Sequence, residues 1–161
     1  MNTGAYIDGR ALYETARDLG FDVDYRKLKQ WLDGQGALVD LVYVTRWDPN
    51  QVLSSTSMVR PLFQHLKQEG YEIVEHPDPS LGSVAPETTV WASSRMSAID
   101  HLVLFARSAD FLPLVRDAQS KGVSVMLISS SIVSSNPVDA GLKGAASAFV
   151  EMQDIQALIK R

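Results

Sequence analysis

The sequence predicts an α/β domain in which a mostly parallel sheet of five or six strands is covered by helices on both faces. Two observations carry that expectation. Apolar periodicity switches repeatedly between strand and helix spacing along the chain. The strand-like runs are also rich in Val, Ile and Leu with little polar alternation, as in parallel strands buried on both sides. Strands alternating with helices of about 10–20 residues imply right-handed βαβ units.

Ala5-Tyr6-Ile7 is a first short strand ending at Asp8-Gly9, and Leu12, Tyr13, Ala16 and Leu19 follow at helical spacing. Asp24 suits the cap of a helix carrying Leu28, Trp31 and Leu32, which Gly34-Gln35-Gly36 stops. Leu38 to Val44 is a near-continuous apolar strand. Asp48-Pro49 opens a long helical stretch through Val59, Leu62, Phe63 and Leu66, stopped by Gly70. Tyr71 to Val74 forms a third strand and His101 to Phe105 a fourth. A helix from Phe111 to Lys121 ends at Gly122, and Val123 to Ile128 is a fifth strand. Ala148-Phe149-Val150 is a short sixth strand, and Ile155 to Lys160 a last helix. The stretches His76 to Pro86 and Ser129 to Pro137 read as surface loops, the second with serines placed to cap a short helix after it.

The 161 residues suffice for a single domain spanning 1–161 with a sizeable core, and 45% apolar against 21% charged residues excludes wholesale disorder. Fifteen Lys and Arg against nineteen Asp and Glu leave a formal charge of −4, which argues against binding nucleic acid or membrane by bulk charge. The absence of Cys excludes disulfides, thiolate zinc sites and cysteine nucleophiles. Asp8, Arg10, Glu14, Arg17 and Asp18 interrupt any signal-peptide core, and no apolar run reaches membrane-spanning length. A cytoplasmic location is the expectation.

In open parallel sheets ligands bind beyond the carboxyl ends of the strands. Asp8 ends the first strand and Asp110 follows the fourth, so adjacency of those strands would bring two carboxylates together. Hard cations such as Mg²⁺ need oxygen ligands, and two-metal chemistry usually gathers several carboxylates. Glu87 and Asp48 lie in or near suitable loops. Asp110 equally suits helix capping, because Phe111-Leu112-Pro113 and a helical run follow it. Arg10 and Arg107 flank the two aspartates. They can pair with Asp8 and Asp110 in place of a metal's charge, fork onto a phosphate, or stand in solvent. Trp47, next to Arg46, is placed either to stack a base or to pack over the sheet end. No phosphate-cradle glycine motif occurs, the three histidines have no ligand spacing, and there is no G-x-S-x-G elbow.

Several segments in order resemble the bacterial NYN-domain (LabA-like) family of the PIN-like nuclease superfamily. They are Tyr6-Ile7-Asp8-Gly9 with Leu12-Tyr13, Asp24 to Leu28, Pro61 to Leu66 with Gly70-Tyr71, Ile99 to Phe105, Asp110 to Val115, Lys121 to Val125 and Ala148 to Val150. The resemblance implies a Rossmann-like (PIN-like) three-layer fold. It also implies Mg²⁺- or Mn²⁺-dependent ribonuclease activity at acids on the sheet's carboxyl edge. Asp8 matches the family's first aspartate, but Arg10-Ala11 stands where a polar Asn is expected. Asp110 matches the second aspartate of the fourth-strand motif, and Ser108 replaces the first. From Ser80 to Ala98 the only acid is Glu87.

These departures imply a degenerate member with no cofactor: a non-catalytic RNA- or anion-binding or regulatory protein. Arg10, Arg46, Trp47, Arg107 and Ser108 would hold the ligand. One alternative is a Mg²⁺- or Mn²⁺-dependent ribonuclease using Asp8, Asp110 and Glu87. Another is a protein-interaction module with its cleft sealed by Asp–Arg pairs. The expected partners are RNA, bound weakly and in a salt-sensitive way, or a protein; a homodimer fits the sequence and a membrane does not.

Overall fold

A computed structural model describes residues 1–52 and 59–161. Among them six strands form one sheet: β1 (Asn2–Asp8), β2 (Ala37–Trp47), β3 (Glu72–Pro77), β4 (His101–Phe105), β5 (Ser124–Ser129) and β6 (Ala148–Glu151). The order is β3-β2-β1-β4-β5-β6, and every pairing is parallel. The chain steps outward from β1 to β3, then returns to the other side of β1 with β4. The direction of winding therefore reverses between β1 and β4, and a crevice opens at their carboxyl ends.

Helices α1 (Gly9–Leu19), α2 (Tyr25–Asp33), α6 (Leu112–Ser120) and α8 (Met152–Ile159) stand close to where the periodicity places them. The long helix expected from Asp48-Pro49 is described at its ends, as α3 (Pro49–Val52) and α4 (Val59–Gln68), and its middle lies outside the described residues. Asp24 caps α2 as expected, accepting the amides of Arg26 at 3.0 Å and Lys27 at 3.1 Å. Gly70 and Gly122 stop their helices with φ of 94° and 77°, a region that disfavours side chains. The serine loop before α7 (Ala140–Ala145) does not cap it; Asp139 does, accepting the Leu142 amide at 2.9 Å.

The alternation of side chains along each strand splits the core in two. Tyr6, Val42, Leu102, Leu104, Val125 and Leu127 pack on one face, under α6 and α7. Ala5, Ile7, Tyr43, Val103, Phe105 and Ile128 pack on the other, under α1, α2 and α8. Strands buried on both sides account for their continuous apolar runs. Among the described residues no helix is long and apolar enough to cross a membrane.

One helix defeats periodicity. α5 (Ala85–Arg95) occupies part of the stretch expected to be loop, and β3 runs on to Pro77, so the loop shrinks to 78–84. Along α5, Glu87, Trp91 and Arg95 form one stripe at four-residue spacing, turned toward β2 and β3. Glu87 pairs with Arg46, while Arg95 bonds Asp40 at 2.9 Å and Glu72 at 3.0 Å and lies over the Trp91 ring. Val90 meanwhile faces solvent at 73% exposure. Polar groups in and an aliphatic out is the reverse of the usual amphipathic signal.

Candidate functional site

At the reversal point of the sheet lies a cleft of about 150 Å³. Asp8 and Arg10 line it from the end of β1 and start of α1, Arg46 from the end of β2, and Arg107 and Ser108 from the loop after β4. Leu81, Gly82, Ser83 and Val84 close the remaining side.

Asp8 is half-buried and caps α1, accepting the Ala11 amide at 3.2 Å. Burial raises its carboxyl above the ordinary value, and the Ala11 amide and the charges of Arg107 and Arg10 only partly offset that. Gly9 lets α1 start directly against the sheet: a Cβ there would lie 2.3 Å from the Tyr43 ring.

The arginines are all engaged. Arg107 Nη2 donates to Glu14 Oε1 at 2.6 Å, and Arg10 Nε approaches the same oxygen at 3.3 Å. Burial tends to raise Glu14, but the hydrogen bond and charge of Arg107, with help from Arg10, outweigh it and leave the carboxyl below its usual range. Arg10 Nη1 also donates to the Leu81 carbonyl at 2.9 Å. Arg46 donates to Asp78 at 2.7 Å and to Glu87 at 2.5 Å. Its Nε and the second Glu87 oxygen are buried without a partner. Asp78 accepts from the Ser80 hydroxyl at 2.7 Å and the Gly82 amide at 3.0 Å. The Ser80 bond first, and the Arg46 bond after it, hold its carboxyl well below the usual range.

β1 and β4 are adjacent, the condition under which Asp8 and Asp110 could meet, but the two carboxylates are not gathered. Asp110 is exposed, inside a one-turn 3₁₀ helix, Ala109–Phe111. That turn is capped by Ser108, whose hydroxyl accepts the Asp110 amide at 3.1 Å, while α6 has Phe111 at its N-cap and no side-chain cap, so Asp110 does not serve as the expected cap. Glu87 belongs to the Arg46 ion pair and is not part of the cleft lining. Trp47 also lies outside the lining, at the β2 end that pairs with Pro77 of β3. Its side chain continues the strand's alternation away from Arg46.

Among the described residues no three His, Asp or Glu side chains form a group able to hold a metal. The set Asp8, Asp110 and Glu87 is therefore not a ligand cluster. Of these only Asp8 reaches the cleft, where it already serves as a cap and has two guanidiniums nearby. Such a donor set does not fit the oxygen-rich coordination that Mg²⁺ or Mn²⁺ takes.

Sealing by Asp–Arg pairs needs a similar correction. Arg10 and Arg107 pair with Glu14, and not with Asp8 or Asp110. Glu14 and Asp78, which with Glu87 hold the cleft's arginines from outside its lining, are absent from the sequence expectations for the site. Glu14 carries one legible signal, its four-residue spacing from Arg10 on α1. Asp78 carries another, the turn-forming run Asp78-Pro79-Ser80.

A family model of the NYN domain matches residues 2–153. The chain is similar to the crystal structure of a protein of unknown function from Vibrio parahaemolyticus. That similarity has a TM-score of 0.80 at 17% identity and covers 98% of this chain and 95% of the other. No curated protein matches.

Proposed function

Because the chain belongs to the NYN domain family, we propose that it binds RNA through backbone phosphate at the arginine cleft and does not cleave it. One observation carries the reading: Arg10, Arg46 and Arg107, from three separate segments, line one cleft over the single carboxylate Asp8. Guanidinium forks match phosphate oxygens in geometry and charge. Ser108, also on the rim, adds a hydroxyl that can donate.

The same arginines oppose a metal-dependent reaction. A fixed cation about 4 Å from a second positive charge costs roughly 1–4 kcal/mol for effective dielectrics of 80 to 20. Of the residues that could compensate, Glu87 is held by Arg46 and Asp110 stands exposed outside the cleft lining. On a protein with a formal charge of −4, phosphate contacts from a few arginines give weak and salt-sensitive binding.

The test is fluorescence anisotropy of a labelled single-stranded oligoribonucleotide at low salt, with the wild-type protein and Arg107→Gln. The expected result is binding that weakens with salt and falls in the variant. Incubation of the same RNA with protein and Mn²⁺ should leave it intact. Cleavage that requires Mn²⁺ and is lost in Asp8→Asn would replace this reading with the ribonuclease one.

A further inference from the structure

Arg10, Arg46 and Arg107 are paired with Glu14, Asp78 and Glu87, none of which lines the cleft. Among these acids Glu14 is distinctive. Two guanidiniums from different segments converge on one of its oxygens, at 2.6 and 3.3 Å. Two guanidiniums drawn to one anionic group are an arrangement that also suits a phosphate. Glu14 stands on the second turn of α1 and its side chain is 17% exposed, so rotation about its own torsions can carry the carboxylate toward solvent.

The loop 78–84 is tied to the same arginines. Arg10 holds the Leu81 carbonyl at 2.9 Å, and Arg46 holds Asp78 at 2.7 Å. Leu81 itself sits at φ 51°, a conformation that residues other than glycine rarely hold. Each cation that would meet a phosphate thus already has an intramolecular acceptor.

We propose that the cleft's arginines are held in reserve: Glu14, outside the lining, is an internal stand-in for phosphate between Arg10 and Arg107, and an RNA phosphate binds by exchanging with it. This rests on the phosphate-binding reading above and adds its regulation. The exchange sets affinity, because the ligand gains two guanidinium contacts only after the protein gives up its own. Release of Arg10 from Glu14 also changes the guanidinium that ties down Leu81, so filling the cleft loosens the 78–84 strap.

The experiment measures labelled oligoribonucleotide affinity at fixed salt for wild type, Glu14→Gln, Glu14→Asp and Asp33→Asn. Glu14→Gln removes the competing charge in an isosteric side chain and should tighten binding roughly tenfold, the scale of one charge-assisted hydrogen bond. Glu14→Asp keeps the net charge but withdraws the carboxylate by one methylene, so it should tighten binding by a smaller factor. It also carries the test if the Gln variant does not fold. Asp33, exposed at the end of α2 beside the opposite edge of the sheet, controls for charge alone and should leave affinity unchanged. Wild-type binding with no gain in either Glu14 variant would overturn the exchange and leave the phosphate-binding reading standing. An equal gain in Asp33→Asn would also overturn it. Absence of binding by all four proteins would overturn both.

Discussion

Arg107 and Glu14 meet at 2.6 Å across 93 positions of sequence, tying the loop after β4 to the second turn of α1. Both side chains are largely shielded, at 16% and 17% exposure, so the pair lies between a surface ion pair and a buried one. It links the two strands between which the sheet reverses its winding.

Arg107→Gln should cost about 1–3 kcal/mol at neutral pH, because Glu14 loses its shortest partner in a partly dehydrated place. Against the effect of burial, the Arg107 guanidinium holds the Glu14 carboxyl below the ordinary glutamate value of about 4.5. Its contribution is therefore present above that value and lost as pH falls through the lower folded one. Urea unfolding of both single variants and the Glu14→Gln/Arg107→Gln double variant should give a coupling energy at pH 7 that shrinks in acid. Full additivity would show that the pair adds nothing.

Asp8→Asn should raise the melting temperature at neutral pH. Burial raises the Asp8 carboxyl above 3.8, so the cost of its ionised form builds as pH rises from 3.8 to the raised folded value and is complete above it. Asn can still accept the Ala11 amide as a cap. Each kcal/mol gained is worth about 2–4 °C in a chain of this size. The advantage should vanish below about pH 4, where Asp8 is protonated in both states; calorimetric scans across that range check the sign.

Arg46→Ala should expose the 78–84 loop to protease. It leaves Glu87 and Asp78 without their cation, although Asp78 keeps its bonds to Ser80 and Gly82. Limited proteolysis followed by mass spectrometry should find new cleavage within 78–84 at native temperature. An unchanged pattern would show that the turn holds without Arg46.

Gly9→Ala should destabilise by roughly 1–3 kcal/mol, the usual cost of overpacking. The added methyl would lie 2.3 Å from the Tyr43 ring, which is buried in the core and cannot retreat. Thermal unfolding measures the loss.

Strands and most helices were legible because burial on both faces leaves an unbroken apolar signature at Leu38 to Val44 and His101 to Phe105. α5 was not legible, since Glu87 and Arg95 turn inward to ion pairs while Val90 turns out. Of the cleft lining, Asp8, Arg10, Arg46, Arg107 and Ser108 were legible from their positions at strand ends. Asp110, Glu87 and Trp47 met the same positional rule but lie outside the cleft, because nearness in sequence to a strand end does not fix the direction of a side chain. Glu14 was hidden for a different reason. Its partner Arg107 is distant in sequence, and only the pairing of β1 with β4 brings the two together.

That central pairing also orders the assembly of the molecule during synthesis. β1 hydrogen-bonds β2 on one side and β4 on the other, so its second edge waits until residues 101–105 have been made. A nascent chain that has reached Pro77 can pair β1, β2 and β3, yet it leaves the inner strand bare along one side for on the order of seconds at ordinary elongation rates. A bare apolar edge is a template for intermolecular strand addition. Fragments cut between β3 and β4 should therefore aggregate, whereas trimming at the short outer strand β6 leaves the middle of the sheet paired.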